Sequence, residues 1–288
     1  EVLYVNQTLF DRFAADTGAT ADMLSPFEGL AELSEMYYEW SGGKQFYAAD
    51  SWFNFVEVGM AQMGGSIFEG EALSLDGDGF AHIFETVYAP AVEGGIAIYD
   101  GYSSDLSKTG DLVCSTGSSA GILFYGDTIT YADGTVENVE YSILPYPVFE
   151  NGTKTALQRG GGLMVAKSEE KKEYAAGVFI KWLTAPEQNM SFVANTGYLP
   201  VTRQAFENEL STHMDTVEDP RIRKMLTSVL AMYEDYSFFT APTYANFDSD
   251  SDAFEESFKD LLVEHRDRYL EGIDKIFPAS EALKELIQ

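Results

Sequence analysis

The chain has 288 residues, of which 45% are hydrophobic and 14% aromatic, enough apolar mass for a packed core and too much for a disordered segment. Its formal charge of −29 repels polyanions, which argues against nucleic acid or an anionic membrane surface as a main partner. A single cysteine permits no internal disulfide, no apolar run approaches the roughly 18 to 20 residues of a membrane span, and no charged-then-apolar leader sits at Glu1.

In chain order, short apolar runs predict strands over Val2 to Val5, Leu112 to Thr116, Tyr141 to Leu144 and Leu163 to Ala166. Apolar residues at helical spacing predict helices over Leu30 to Trp40, Trp52 to Met63, Phe80 to Ala89, Arg221 to Asp235 and Ala253 to Tyr269. The glycine- and asparagine-rich pieces Asp76-Gly77-Asp78-Gly79 and Glu150-Asn151-Gly152 read as loops. The densest signals lie between Gln158 and Val201. Three glycines at 160 to 162 run into the apolar stretch Leu163 to Ala166 and free the backbone for close approach. Ser168 opens a helix in which Ala175, Val178, Phe179, Trp182 and Leu183 form one stripe, expected to be buried. Thr184 and Glu187 have capping-box spacing, Pro186 suits a first turn, and Gly197 ends a second helix that carries Met190, Val193 and Ala194. Beyond it Pro200 constrains Leu199 to an extended conformation, which presents Tyr198 at a chain reversal. Helical and strand segments alternate, which favours an α/β architecture.

An acidic chain produces accidental matches to catalytic and metal motifs, and most fail on detail. The loop from Asp76 places Ala81 and Val87 where calcium binding requires glycine and a bidentate carboxylate. Asp248, Asp250 and Asp252 repeat the spacing, but Ala253 and Lys259 occupy those positions, and helix capping by Asp252 with Glu255 explains them better. His82, His213 and His265 have no second histidine or cysteine at ligand spacing, so neither a zinc site nor any other metal or cofactor is implied. Cys114 lies inside an apolar strand pattern and reads as a buried small hydrophobe. No phosphate loop follows the glycines, and no Gly-x-Ser-x-Gly elbow occurs. A carboxylate pair for glycoside chemistry stays open, because its separation is invisible in sequence.

The order of strand, helix, short proline-marked helix and Gly197-Tyr198-Leu199-Pro200 resembles bacterial extracellular solute-binding proteins, in the maltose-binding and glycerol-3-phosphate-binding branch that feeds ABC importers. The resemblance extends to Leu3-Tyr4-Val5-Asn6 with Leu9-Phe10, to Asp111 to Thr116 with Gly117-Ser118-Ser119, and to Tyr141 to Pro147. It implies a periplasmic-binding-protein-like α/β fold of type II with two lobes and the first lobe incomplete, since that family carries a longer stretch before the Leu-Tyr-Val-Asn strand. Residues 1–150 and 206–288 would form the second lobe and 151–205 a returning part of the first, with crossings near Phe149 to Thr155 and Thr202 to Glu209.

The same resemblance implies ligand contacts at Trp52, at Ser118 or Ser119, at Gly160 and at Tyr198, with Tyr244 as an additional aromatic. Each has a plainer reading as core, turn or permissive backbone. Pro242 to Asn246 matches the stretch where glycerol-3-phosphate relatives hold a phosphate-binding arginine, and here it contains no basic residue. A neutral carbohydrate or polyol is therefore expected, bound without chemistry by closure of two lobes and read by a membrane permease. The resemblance also implies an extracellular or periplasmic location with a lipid anchor, and an incomplete lobe would invite self-association. A carbohydrate-active enzyme and a pure interaction domain are the alternatives.

Overall fold

The computed structural model describes residues 1–75, 77–272 and 276–287; Asp76 of the calcium-like motif lies outside the described residues. The elements are, in order, β1 (Val2–Asn6), α1 (Gln7–Thr17), α2 (Phe27–Ser41), β2 (Gln45–Ala49), α3 (Trp52–Gln62), β3 (Phe68–Glu69), β4 (Ala72–Leu73), α4 (Asp78–Glu93), α5 (Ser103–Ser107) and β5 (Leu112–Gly117). They continue with a 3₁₀ turn (Ser119–Phe124), β6 (Thr128–Thr130), β7 (Val136–Asn138), β8 (Tyr141–Leu144), β9 (Thr155–Leu157), α6 (Glu170–Leu183) and α7 (Pro186–Thr196). The last are α8 (Leu210–His213), α9 (Pro220–Asp235), β10 (Ser237–Phe239), α10 (Phe247–Leu270) and α11 (Ala279–Ile287).

The main sheet has the order β2-β5-β1-β8, with β2 parallel to β5 and β1 antiparallel to both of its neighbours. Every residue of β1 and β5 is buried, which explains why these strands read as continuous apolar runs rather than alternating ones. Side chains alternate between the two faces. Tyr47 points to α2, where Phe27 anchors an aromatic cluster with ring centroids 4.9 Å from Phe55, 4.7 Å from Phe149 and 5.5 Å from Tyr146. Tyr4 points to the other face, stacks at 4.2 Å on Tyr125, and meets the side where Arg221 of α9 donates to the Tyr125 carbonyl. Cys114 is buried in β5, and burial pushes its thiol pKa up.

The helices over 27–41, 52–62, 78–93 and 220–235 fall where their periodicity predicts, within a few residues at each end. Three expectations fail. Leu163 to Ala166 forms no strand: it is exposed, with Met164 at 93%. An apolar run specifies a strand only where a partner edge exists, and here none pairs with it. Helix α6 forms, yet it has no buried residue, so Tyr174, Val178, Phe179 and Trp182 face outward. Neither expected capping box is present: α7 is preceded by Ala185 while the Thr184 hydroxyl donates back to Ile180, and α10 begins at Phe247, ahead of Asp252. Glu255 instead caps α3 from outside, accepting from the Phe53 amide at 2.8 Å.

Strand β9 pairs with β10 and packs on α3, so the chain stays with the main body up to Gln158. Gln62 secures this passage. Its buried amide donates to the carbonyls of Pro147 at 2.9 Å and Thr155 at 3.1 Å and accepts from the Phe149 amide at 3.0 Å. Gln62→Leu keeps the volume but strands three buried backbone groups, and urea unfolding is expected to show a loss of about 3 kcal/mol.

Candidate functional site

The register of the sheet gathers polar groups at one end. Because β1 is antiparallel to β5 while β2 is parallel to it, Val2 lies opposite Gly117 and Ala49 opposite Thr116. Glu1, Asp50 and Ser118, each one residue beyond these pairs, therefore meet at the carboxyl end of β2 and β5. Ligands of open α/β sheets collect at such strand ends, where helix starts and loops converge.

Asp50 is held in place there. Its amide donates to the Thr116 carbonyl at 3.1 Å, and its Oδ1 accepts from the Ser103 amide at 2.8 Å. A Cβ added to Gly117 would lie 2.4 Å from Asp50 Oδ2, so the glycine lets the carboxylate rest on bare backbone. Burial raises the Asp50 pKa, and the bonds from Ser103 oppose that rise. Next in sequence, Ser51 caps α3 by accepting from the Asn54 amide at 3.1 Å. Asn54 then links two further groups: its Nδ2 donates to Glu1 Oε1 at 2.7 Å, and its Oδ1 accepts from Arg159 Nη1 at 2.8 Å. Arg159 precedes Gly160, which brings the glycine run to the same edge.

Of the expected contacts, Ser118, Ser119, Gly160 and Tyr198 lie on exposed or half-exposed backbone around this edge. The Tyr4 hydroxyl donates to the carbonyls of Ser118 at 2.7 Å and Ser119 at 3.2 Å, which fixes the turn. Gly197 closes α7 at a φ of 73°, and a Cβ there would meet Ile122 Cγ2 at 2.7 Å and the Ser119 carbonyl oxygen at 3.1 Å. The corner carrying Tyr198 thus docks on the Ser119 to Ile122 turn. Tyr198 is 45% exposed and lies beside Phe192 at 5.7 Å. Gly160 to Gly162 meet nothing within 4 Å at their absent Cβ positions.

Trp52 belongs to the core. It is 1% exposed, stacked on Phe258 at 5.1 Å and edge-on to Phe55 at 5.5 Å, so its indole offers no surface to a ligand. The first turn of an amphipathic helix at a strand end faces the site with some residues and the core with others, and Trp52 takes the core side. Tyr244 packs on Phe68 and Phe247, and its hydroxyl donates to Asp250 Oδ2 at 3.0 Å, which occupies the group expected to meet a ligand. Sequence reading passed over Glu1, Asp50, Asn54 and Arg159. The polar break after the apolar run 46–49 and the arginine beside the glycines were the available signals.

This edge presents carboxylates that accept from hydroxyls and a guanidinium that donates. Among the described residues, no group of three or more His, Cys, Asp or Glu side chains is placed to hold a metal ion, and no helix is long and apolar enough to cross a membrane. The three histidines have separate partners: His82 binds Glu28 at 2.7 Å, His213 lies by Glu209 at 3.5 Å, and His265 sits between Tyr88 and Glu285. A groove of about 540 Å³ lined by Met190, Asn195, His213 and Asp219 lies along α7, beside this edge rather than at it. Gly197→Ala would place a side chain in the left-handed region and against Ile122, and should cost about 1–2 kcal/mol in thermal unfolding. Exchange protection of the Gly121 amide, which bonds to Ser118, should fall while that of β1 is unchanged.

Several solved structures share the fold over nearly the whole chain. The cyclic alpha-maltosyl-1,6-maltose binding protein from Arthrobacter globiformis matches with a TM-score of 0.68 at 16% identity, covering 99% of this chain and 68% of that one. UgpB from Mycobacterium tuberculosis, in complex with glycerophosphocholine, matches at 0.63 and 16%, covering 99% and 65%. An ABC transporter solute binding protein from Agrobacterium radiobacter K84, in complex with ribitol, matches at 0.56 and 18%, covering 99% and 68%. No curated protein is significantly similar in sequence. The family model described as bacterial extracellular solute-binding protein matches residues 1–221, more than three quarters of the chain, and the protein belongs to that family.

Proposed function

We propose that the chain is the substrate-binding component of an ABC importer and takes a neutral carbohydrate or polyol at the polar sheet end without chemical change. The observation that carries this reading is the edge itself. Glu1, Asp50, Ser118 and Arg159 supply acceptors and donors around the sheet end, with Asn54 fixing Glu1 and Arg159 and no activated nucleophile among them. Two structural relatives, the cyclic alpha-maltosyl-1,6-maltose binding protein and the solute binding protein in complex with ribitol, take ligands of polyhydroxyl chemistry. A neutral ligand fits one further fact: Pro242 to Asn246 holds no cation.

Tyr198 supplies an aromatic plane near Ser119, suited to the apolar face of a sugar ring. The two-lobe division is retained with the first crossing after β9, since α6 has no buried residue and β9 pairs with β10. Closure of the second wall over this edge would trap the ligand, and a permease would read the closed form. Location outside the cytoplasmic membrane, with a lipid anchor, follows from the same role. Contact between copies through the exposed face of α6 is part of this proposal, because Val178, Phe179 and Trp182 form a contiguous apolar stripe.

Calorimetry against a panel including maltose and ribitol, run beside a product assay, tests the reading. Saturable heat with unchanged ligand is expected, and turnover would favour an enzyme using carboxylates instead. Asp50→Asn and Tyr198→Ala should each weaken the ligand that binds by roughly 10- to 100-fold, the worth of one charge-assisted bond or stacked ring. In sedimentation, Trp182→Lys should reduce any self-association while leaving the circular dichroism spectrum unchanged.

A further inference from the structure

The opposite end of the main sheet carries a cavity of about 340 Å³, near the lower end of the range that small-molecule sites occupy. Lys44 stands just before β2 and Gly110 two residues before β5, whereas Asp50 follows β2, so strands of five and six residues separate this cavity from the polar edge by about 16–20 Å. Leu9 and Arg12 of α1, Tyr37 and Trp40 of α2, Lys44 and Tyr131 form most of its wall. The lining holds two cations and no carboxylate, in a chain with 47 Asp and Glu against 18 Lys and Arg. A random sample of this surface would carry the reverse sign.

Each cation is held by an acid that stands behind the wall. Arg12 pairs with Glu137, which also accepts from the Tyr131 hydroxyl. Lys44 Nζ donates to the Gly110 carbonyl at 2.9 Å, lies 3.4 Å from Asp111 and sits 5.2 Å from the centre of the Tyr131 ring. A guanidinium has five N–H donors and an ammonium three, so these partners leave donors on both groups for a guest. The backbone is shaped to the same end. Gly110 has a φ of 69°, and a Cβ there would meet Tyr131 Cε1 at 2.9 Å, so the glycine lets the ring lie close beside Lys44. The Ser41 hydroxyl accepts from the Lys44 amide at 2.9 Å and fixes the chain where it leaves α2.

Tyr37 points most directly to a ligand. It is 3% exposed, it lines the cavity, and its hydroxyl has no hydrogen-bond partner among the described residues. Unlike the Tyr141 and Tyr146 hydroxyls, which are sealed in the core, that oxygen keeps access to the cavity. A buried hydroxyl left without a partner is costly, and a guest that accepts from it recovers the loss.

We propose that this cavity is a second ligand site, for a small organic carboxylate with a flat or apolar body. The carboxylate lies between Arg12, Lys44 and the Tyr37 hydroxyl, and the body rests on Leu9 and the Trp40 indole. Two cations and a hydroxyl offer one carboxylate both charge-assisted and neutral bonds. Inorganic phosphate would meet the donors and leave the apolar wall bare. A sugar would cover the wall and leave two cations without a counter-charge. This site is independent of the polar edge at the other end of the sheet.

The test uses the full chain and benzoate as the probe, followed by nuclear magnetic resonance, with benzamide and inorganic phosphate as comparisons. The Trp40 Nε1–H, which donates to Asp16 at 3.2 Å beside the cavity, is the reporter. Benzoate should shift it saturably together with the Lys44 and Gly110 amides, about tenfold or more tighter than benzamide, while the Asp50 and Gly117 amides stay unmoved. Phosphate should give no saturable shift. Arg12→Gln and Lys44→Gln should each weaken benzoate by about fivefold or more. Tyr37→Phe removes a hydroxyl that no protein group uses, so it should weaken benzoate by about threefold to tenfold and leave the melting temperature unchanged, an outcome that a packing role alone would not produce. The proposal is overturned by a silent Trp40 signal, by equal affinity for benzoate and benzamide, by phosphate binding as tightly as benzoate, or by shifts confined to the Asp50 end. If Arg12→Gln fails to fold through loss of its bond to Glu137, Tyr37→Phe still decides. Failure of every sugar in the calorimetric panel bears on the polar edge alone.

Discussion

The antiparallel pairing of the buried strand β1 with β5 and β8 is the constraint on which the rest of the molecule depends. A strand buried on both faces cannot slip by one residue, because every side chain would exchange its packing partners. Tyr4 would leave Tyr125, and the aromatic face below α2 would lose its neighbour in β1. The register that packing enforces also decides that Glu1 falls beside Gly117 and that Asp50 lies across from them. Core packing and site geometry are therefore two outcomes of one alignment.

Around that sheet, buried polar groups do what apolar packing cannot. Gln62 binds three backbone groups where the chain passes from β8 towards β9 and so fixes the route by which the glycine run reaches the sheet end. Asn54 performs the same task for Arg159 and Glu1. Buried polar contacts of this kind add little net stability and much specificity, because a wrong arrangement leaves unsatisfied groups in low dielectric. Glu57 differs in having no hydrogen-bond donor at all.

The strongly acidic surface sets the background for this edge. The net charge of −29 makes the surrounding field negative, while the raised pKa values of Asp50 and Glu57 come chiefly from burial. Arg159 stands as a local exception in that field, and the bond to Asn54 keeps it where its charge matters.

The periodicity of Leu30 to Trp40, Trp52 to Met63 and Arg221 to Asp235, the apolar runs of β1, β5 and β8, and the ordered motifs from Leu3 to Pro200 determined the fold class and family from sequence alone. Such signals are local: a helix stripe or a strand run is written within a dozen residues. Tertiary structure decided what those elements meet. It put Trp52 in the core, left Leu163 to Ala166 and the stripe of α6 without a partner, and assembled Glu1, Asp50, Asn54 and Arg159 from three separate stretches of chain. A side chain's exposure depends on which face a helix turns to the sheet, and a site built by strand register depends on pairings more than one hundred residues apart. Neither quantity has a local sequence signature, which is why the fold was legible and the site only in part.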